Sequence, residues 1–253
     1  MDDYEQRRRF GAAMAGAETA LAAADQLCLA CVDQLEVDGA SVSLVYEGAT
    51  RGTFGSSGEL SRRIDELQFT YGEGPCLDSV SAGRPVLVDD LSDVTERRWP
   101  AFSAAVLDAG VSAVFAFPVT VASSHIGALD LFRERSGPLT PKAVQSGLTA
   151  ARLAALPLLD LMSTKVDWQA AAQKEHSWDQ LASLERVEVY QATGMIVGAL
   201  GVDSTEALIR LRAYAFAHGM TASEVACAIV NRQLPLDEQT WSGDDVHPGG
   251  GPR

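Results

Sequence analysis

The chain has little of what most chemistry needs. Its 253 residues include four cysteines, Cys28, Cys31, Cys76 and Cys227, too few for a disulfide framework. Cys28 and Cys31 make a lone C-x-x-C, and no further Cys or His pair follows at metal-ligand spacing, so buried core thiols are the better reading and no metal site is expected. Positive charge is scarce: 20 Lys and Arg stand against 34 Asp and Glu, for a net charge of −14. That balance excludes a broad, non-specific nucleic-acid surface. It leaves room for a local basic face, because screening confines an exposed charge to about 10 Å. No apolar run reaches the roughly 20 residues that a membrane-spanning helix requires. The opening MDDYEQRRRF is charged, and the alanine-rich run behind it carries Glu18 and Asp25, so no signal-peptide core is present. These features read as a cytoplasmic protein with no membrane partner.

What is there falls into two parts, in line with domains of about 100–200 residues. An alanine-rich helix is expected from about Phe10 to Leu35. ASVSLVYE, from Ala40 to Glu47, alternates with period two and predicts a strand, with GTFGSS returning as a second. LSRRIDELQF has helical spacing. In YGEGPCLDSV, Pro75 suits a helix start, where its missing N–H costs nothing. RPVLVDDL predicts a third strand, WPAFSAAVLDAG a helix, and VSAVFAFPVTV and HIGALDLFRE two more strands about the turn ASS. Pro118 should end its strand, and Gly127 should allow close backbone approach. Pro157 should kink or break the following helix. The stretch from Ser163 to Thr193, free of Gly and Pro, reads as one long helix carrying Trp168, Trp178, Leu181 and Leu184, which would gain by pairing with a second copy.

The pieces FTYGEGPCLDSVSAGRPVLVDDL, WPAF, GVSAVFAFPV and IGALDLF, in this order, resemble a GAF domain over residues 10–159. The resemblance implies a sensory domain that binds a small ligand or senses redox state on one face of its sheet. The sequence itself names no cofactor. Candidate pocket residues are Leu44, Phe54, Phe69, Cys76, Phe102, Phe115 and Leu129, each of which also suits plain core packing. Cys76 sits at a helix N-terminus, where the dipole can lower a thiol pKa, so a redox role stands beside a structural one. His125, alone in this region, sits at a hairpin edge and reads as a solvated turn residue.

From Gly194 to Val230 the sequence is punctuated for three helices. Gly201 is a helix stop. Asp203 and Glu206 mark the next start, Gly219 the next stop, and Thr221 with Glu224 a second capping box. The expected inner faces are Val187, Tyr190, Gly194 and Val197; then Leu208, Leu211 and Ala215; then Val225, Ala226, Ile229 and Val230. This text resembles an ANTAR domain over about residues 181–236, which implies a three-helix RNA-binding bundle of bacterial transcription antiterminators that takes paired hairpins with exposed loop bases. Many members carry Lys where Thr193 stands here. Stacking, base-edge and phosphate contacts together recognise loop RNA, so the candidate contacts are Arg186, Gln191, Arg212, Tyr214 and Arg232. A solvated helix face is the plain alternative for each Arg, and core packing for Tyr214.

The expected fold is therefore α+β: a GAF-type antiparallel sheet flanked by helices, then a helical linker over 160–180, an all-α three-helix bundle, and a tail over 237–253 too rich in Pro, Gly and Asp to fold. The expected function is a signal-responsive RNA-binding antitermination regulator, homodimeric through the linker helix, with a small-molecule ligand in the sensor. The alternative is an interaction adaptor that does not bind RNA. An enzyme is not expected: the adjacent pair Asp89–Asp90 would point to opposite faces of a strand, and no nucleophile, metal or phosphate-loop pattern accompanies it.

Overall fold

The computed structural model describes residues 3–46, 49–166, 186–237 and 241. The chain divides into two compact units, Met1–Glu185 and Arg186–Arg253.

In the first unit the expected single N-terminal helix is two, α1 (Asp3–Met14) and α2 (Ala20–Leu35). The break comes where Thr19 caps α2, its hydroxyl accepting from the Ala22 N–H at 3.1 Å. There follow β1 (Gly39–Tyr46), β2 (Ala49–Ser56), α3 (Glu59–Tyr71), α4 (Pro75–Ala82), β3 (Val86–Val88), α5 (Pro100–Asp108), β4 (Ala113–Val121), β5 (Ser124–Arg133) and α6 (Pro141–Val166). The five strands form one antiparallel sheet in the order β2-β1-β5-β4-β3.

Period-two alternation gives the sheet two different faces. On one, Val42, Phe54, Phe115, Phe117, Leu129 and Leu131 pack with Leu27 of α2 and Leu158 of α6 into the main apolar core. On the other, Val86, Val114, Ala116 and Phe132 pack with Ile64 of α3 and Phe102 of α5, and Val45 and Ala128 pack with Cys76 of α4. Gly127 is a close backbone approach as expected: a Cβ there would lie 2.2 Å from the Ser43 carbonyl oxygen.

Two proline expectations are corrected. β4 continues through Pro118 to Val121. Its partner β3 pairs only with Val114–Ala116, so β4 is an edge by Pro118 and the missing N–H breaks no ladder on that side. α6 likewise runs on through Pro157, which is buried beside Ala154, Ala155 and Leu158. Burial against the core outweighs the lost helix bond.

The second unit holds α7 (Val187–Leu200), α8 (Ser204–Ala217) and α9 (Ala222–Val230). The caps lie where the sequence puts them. Gly201 ends α7 in the left-handed conformation, Asp203 accepts from Glu206 N–H at 2.8 Å, and Thr221 and Glu224 form a complete capping box. Arg186, immediately before α7, has φ +44, which an unbroken helix does not allow, so the run from Ser163 to Thr193 is not one helix. Trp168, Trp178, Leu181 and Leu184, and with them the proposed dimer contact, lie outside the described residues.

The bundle core is Val189, Ala192, Thr193 and Ile196 of α7, Ala207, Leu211 and Ala215 of α8, and Ala222, Val225, Ala226 and Ile229 of α9. On α7 this is a correction. Tyr190 and Gly194, expected inside, are exposed, and Tyr190 is 52% accessible. Short side chains let the three helices meet through Ala192 and Thr193, and that turns the larger Tyr190 outward.

Candidate functional sites: a buried polar seam and an aromatic face

The second face of the sheet is not wholly apolar. Beneath α3 it carries a seam of buried polar side chains. Ser41 and Ser43 of β1 and Asp130 of β5 are fully buried, as are Asp65 and Gln68 on one side of α3. The Gln68 amide nitrogen donates to Asp130 Oδ2 at 2.7 Å, and its oxygen accepts from the Cys76 N–H at 2.9 Å. Asp65 accepts from the Ser43 and Thr53 hydroxyls, one on each oxygen. The bend before α4 closes over this network. Gly74 has φ +144, and a Cβ there would lie 2.4 Å from Gln68 Oε1, so no other residue lets the backbone wrap the amide this closely. Glu73 then caps α5, accepting from the Ala101 and Phe102 N–H groups at 2.8 and 2.9 Å.

Ser41 and Asp130 face each other in register across β1 and β5, which puts their Cβ atoms about 5 Å apart. Ser41 Oγ and Asp130 Oδ1 are buried and have no hydrogen-bond partner among the described residues. Burial pushes the Asp130 carboxyl up to about 8; the Gln68 bond pulls the other way and the Asp65 charge adds to the rise. A neutral carboxyl of this kind both donates and accepts, as does the serine hydroxyl. Both groups lie inside the closed core.

The seven candidate pocket residues are not brought together. Phe54, Phe115 and Leu129, with Leu44 beside them, belong to the core against α2 and α6. Phe102 lies in the core under α5, Cys76 under α4, and Phe69 is buried on α3. Phe54, Phe115 and Leu129 take one parity of their strands, and the polar seam takes the other parity of β1 and β5, beside Val45 and Phe132. The missed residues left one signal in the sequence: Asp130 interrupts the apolar run IGALDLF. Cys28 and Cys31 are fully buried in α2, and burial pushes both thiols well up, away from thiolate. Cys76 is likewise fully buried. Asp90 of the Asp89–Asp90 pair accepts from the Ser92 N–H and hydroxyl, at 2.9 and 2.6 Å, and so shapes a turn.

In the bundle, Gln191 on α7 and Arg232 past α9 are exposed, and Arg212 is partly buried. Arg186 is 6% exposed, so it does not stand on an outer helix face as a phosphate contact requires. Thr193 is also turned in, its hydroxyl donating to the Val189 carbonyl at 2.7 Å. Tyr214 is the centre of an aromatic stack. His218 lies against it with ring centroids 3.9 Å apart and planes at 16°, and Trp241 with centroids 5.0 Å apart and planes at 21°. Arg210, one turn before Tyr214, donates to Glu206 and to the Trp241 carbonyl. Trp241 lies in the tail expected not to fold, yet it is 4% exposed and its indole N–H reaches the Pro235 carbonyl at 3.0 Å. Residues 242–253 lie outside the described residues.

Among the described residues, no single helix is long and apolar enough to cross a membrane. Comparison with known proteins follows the same division. A GAF domain model matches residues 20–157 and an ANTAR domain model matches residues 180–230. The GAF domain of an Acinetobacter phosphoenolpyruvate-protein phosphotransferase is similar at 13% identity and a TM-score of 0.51, over 65% of this chain and 99% of that one. The GAF domain of the corresponding Coxiella burnetii protein is similar at 14% identity and a TM-score of 0.51, over 66% and 98%. At such identities the likeness concerns the fold alone. No match was found among curated proteins. These domains are regulatory, and in tandem they support signal-responsive control of transcription by antitermination. The chain belongs to the GAF domain family and carries an ANTAR domain behind its GAF domain.

Proposed function

We propose that this chain is a cytoplasmic sensor whose GAF domain receives a small polar ligand and whose ANTAR bundle binds paired hairpins in nascent RNA, keeping a terminator stem from forming. The observation that carries this reading is the pairing of the two domains in one chain. The reading asks for no covalent chemistry. It uses a homodimer, so that two bundles meet two hairpins. Gln191, Arg232, the accessible part of Arg212 and the Tyr214 face are the groups that would meet RNA.

The test is a binding titration of the chain with a two-hairpin RNA and with its loop-closed duplex. Tighter binding to the hairpin RNA supports the reading. No binding to either, with and without extracts of small metabolites, favours the adaptor.

A further inference from the structure

Trp241 lies against a face of α8 that is separate from the bundle core. The three helices pack through Ala207, Leu211 and Ala215 of α8. Arg210, Tyr214 and His218 form a separate stripe on that helix, at successive fourth positions. Trp241 lies on this stripe in near-parallel stacking with Tyr214, and Arg210 holds its carbonyl at 3.3 Å. An aromatic face flanked by a guanidinium is the arrangement that receives an unstacked nucleobase and its backbone. The sequence around Trp241 is itself RNA-like in chemistry. Trp241 is the one Phe, Tyr or Trp after Pro235, and Asp237, Glu238, Asp244 and Asp245 surround it in sequence with no Lys or Arg before Arg253. A flat ring from an acidic stretch of sequence therefore occupies a face built from two rings and a cation.

We propose that the Arg210–Tyr214–His218 stripe is a nucleobase-stacking site for a loop base of RNA, and that Trp241 is a tethered stand-in which RNA displaces. This deepens the RNA-binding reading above and rests on it. Occupancy by Trp241 lowers apparent affinity in proportion to the fraction of molecules in which the site is covered. Its ring stacking and its hydrogen bonds go to Tyr214, Arg210 and Pro235, which lie outside the three-helix core, so that core is expected to remain when it departs.

The experiment measures binding of a two-hairpin RNA with unpaired purine loop bases to the chain and to three variants, with helicity followed by circular dichroism. Trp241→Ala tightens binding by about fivefold or more, the gain from uncovering a site open in one molecule in five. Trp241→Phe falls between wild type and Trp241→Ala. Tyr214→Ala weakens binding, since it removes the platform as well as the cover. A Trp241 that merely seals the bundle predicts weaker binding for both the Trp241 and the Tyr214 variants. If wild type binds and a folded Trp241→Ala binds no more tightly, the proposal is overturned while the RNA reading stands. Should Trp241→Ala lose its helical signal, Trp241→Phe decides: affinity at or below wild type overturns the proposal. Absence of binding by wild type and Trp241→Ala alike overturns both.

Discussion

In the GAF unit Phe54, Phe102, Phe115 and Phe117 are buried, and Asp65, Gln68, Asp130 and Ser41 are buried with them. In the ANTAR unit the helices' core is made of Ala, Val, Ile, Leu and a threonine, while Tyr190, Phe216 and Ile209 are half exposed or more. The larger unit has interior to spare, so it can hold polar groups inside at the cost of their desolvation. The smaller has less, since a unit of this size buries a smaller share of its surface. The larger unit thus encloses polar groups, and the smaller presents large apolar side chains on its surface.

The sharpest way to break this comparison is to remove one core and watch the other. Leu211 is fully buried, and Leu→Ala at such a site costs about 2–5 kcal/mol. Leu211→Ala is expected to melt the ANTAR bundle and leave the GAF unit folded, read as loss of one of two thermal transitions. A single transition that shifts as a whole would show that the units fold together.

The next effect concerns the buried carboxyl. Asp130 keeps its proton to about pH 8 in the folded unit but ionises near 3.8 when unfolded. Between those values the folded state holds a proton the unfolded chain has released. Its contribution to stability therefore falls as pH rises from about 4 to about 8, by at most about 1.4 kcal/mol per unit, and then levels. Asp130→Asn, similar in shape and uncharged, is expected to flatten this slope in urea melts at several pH values. An unchanged slope would mean that Asp130 is solvated and the seam open.

The smallest effect is local. Glu73→Ala removes the side-chain cap of α5 and is expected to cost about 1 kcal/mol. It should leave the ANTAR transition where it was. A shift of that transition in the same melt would contradict independent units.

Much of this was legible in advance, and particular residues say why. Asp203, Thr221 and Glu224 act within three residues of themselves, so their caps follow from spacing alone. Pro75 and Gly127 are read equally directly, because their constraint is on their own backbone. Pro118 and Pro157 were not, since whether a missing N–H matters depends on a neighbour distant in sequence: how short β3 is, or how firmly α6 is held. The candidate pocket failed for a related reason. Size and apolarity pick out Phe54, Phe115 and Leu129, but strand parity sends those to the dry face, and Asp130, Ser41 and Gln68 meet only through the fold. Trp241 is 27 residues from Tyr214 in sequence, and no periodicity links them.

The most direct measurement is a salt titration of RNA affinity for wild type beside Arg232→Glu, an exposed cation outside both the core and the aromatic stripe. The wild type is predicted to bind a two-hairpin RNA with affinity that falls linearly on logarithmic axes of salt, as counterion release requires. Arg232→Glu should bind more weakly, with a slope shallower by about one. Wild-type affinity that is absent, or that does not change with salt, would contradict the account.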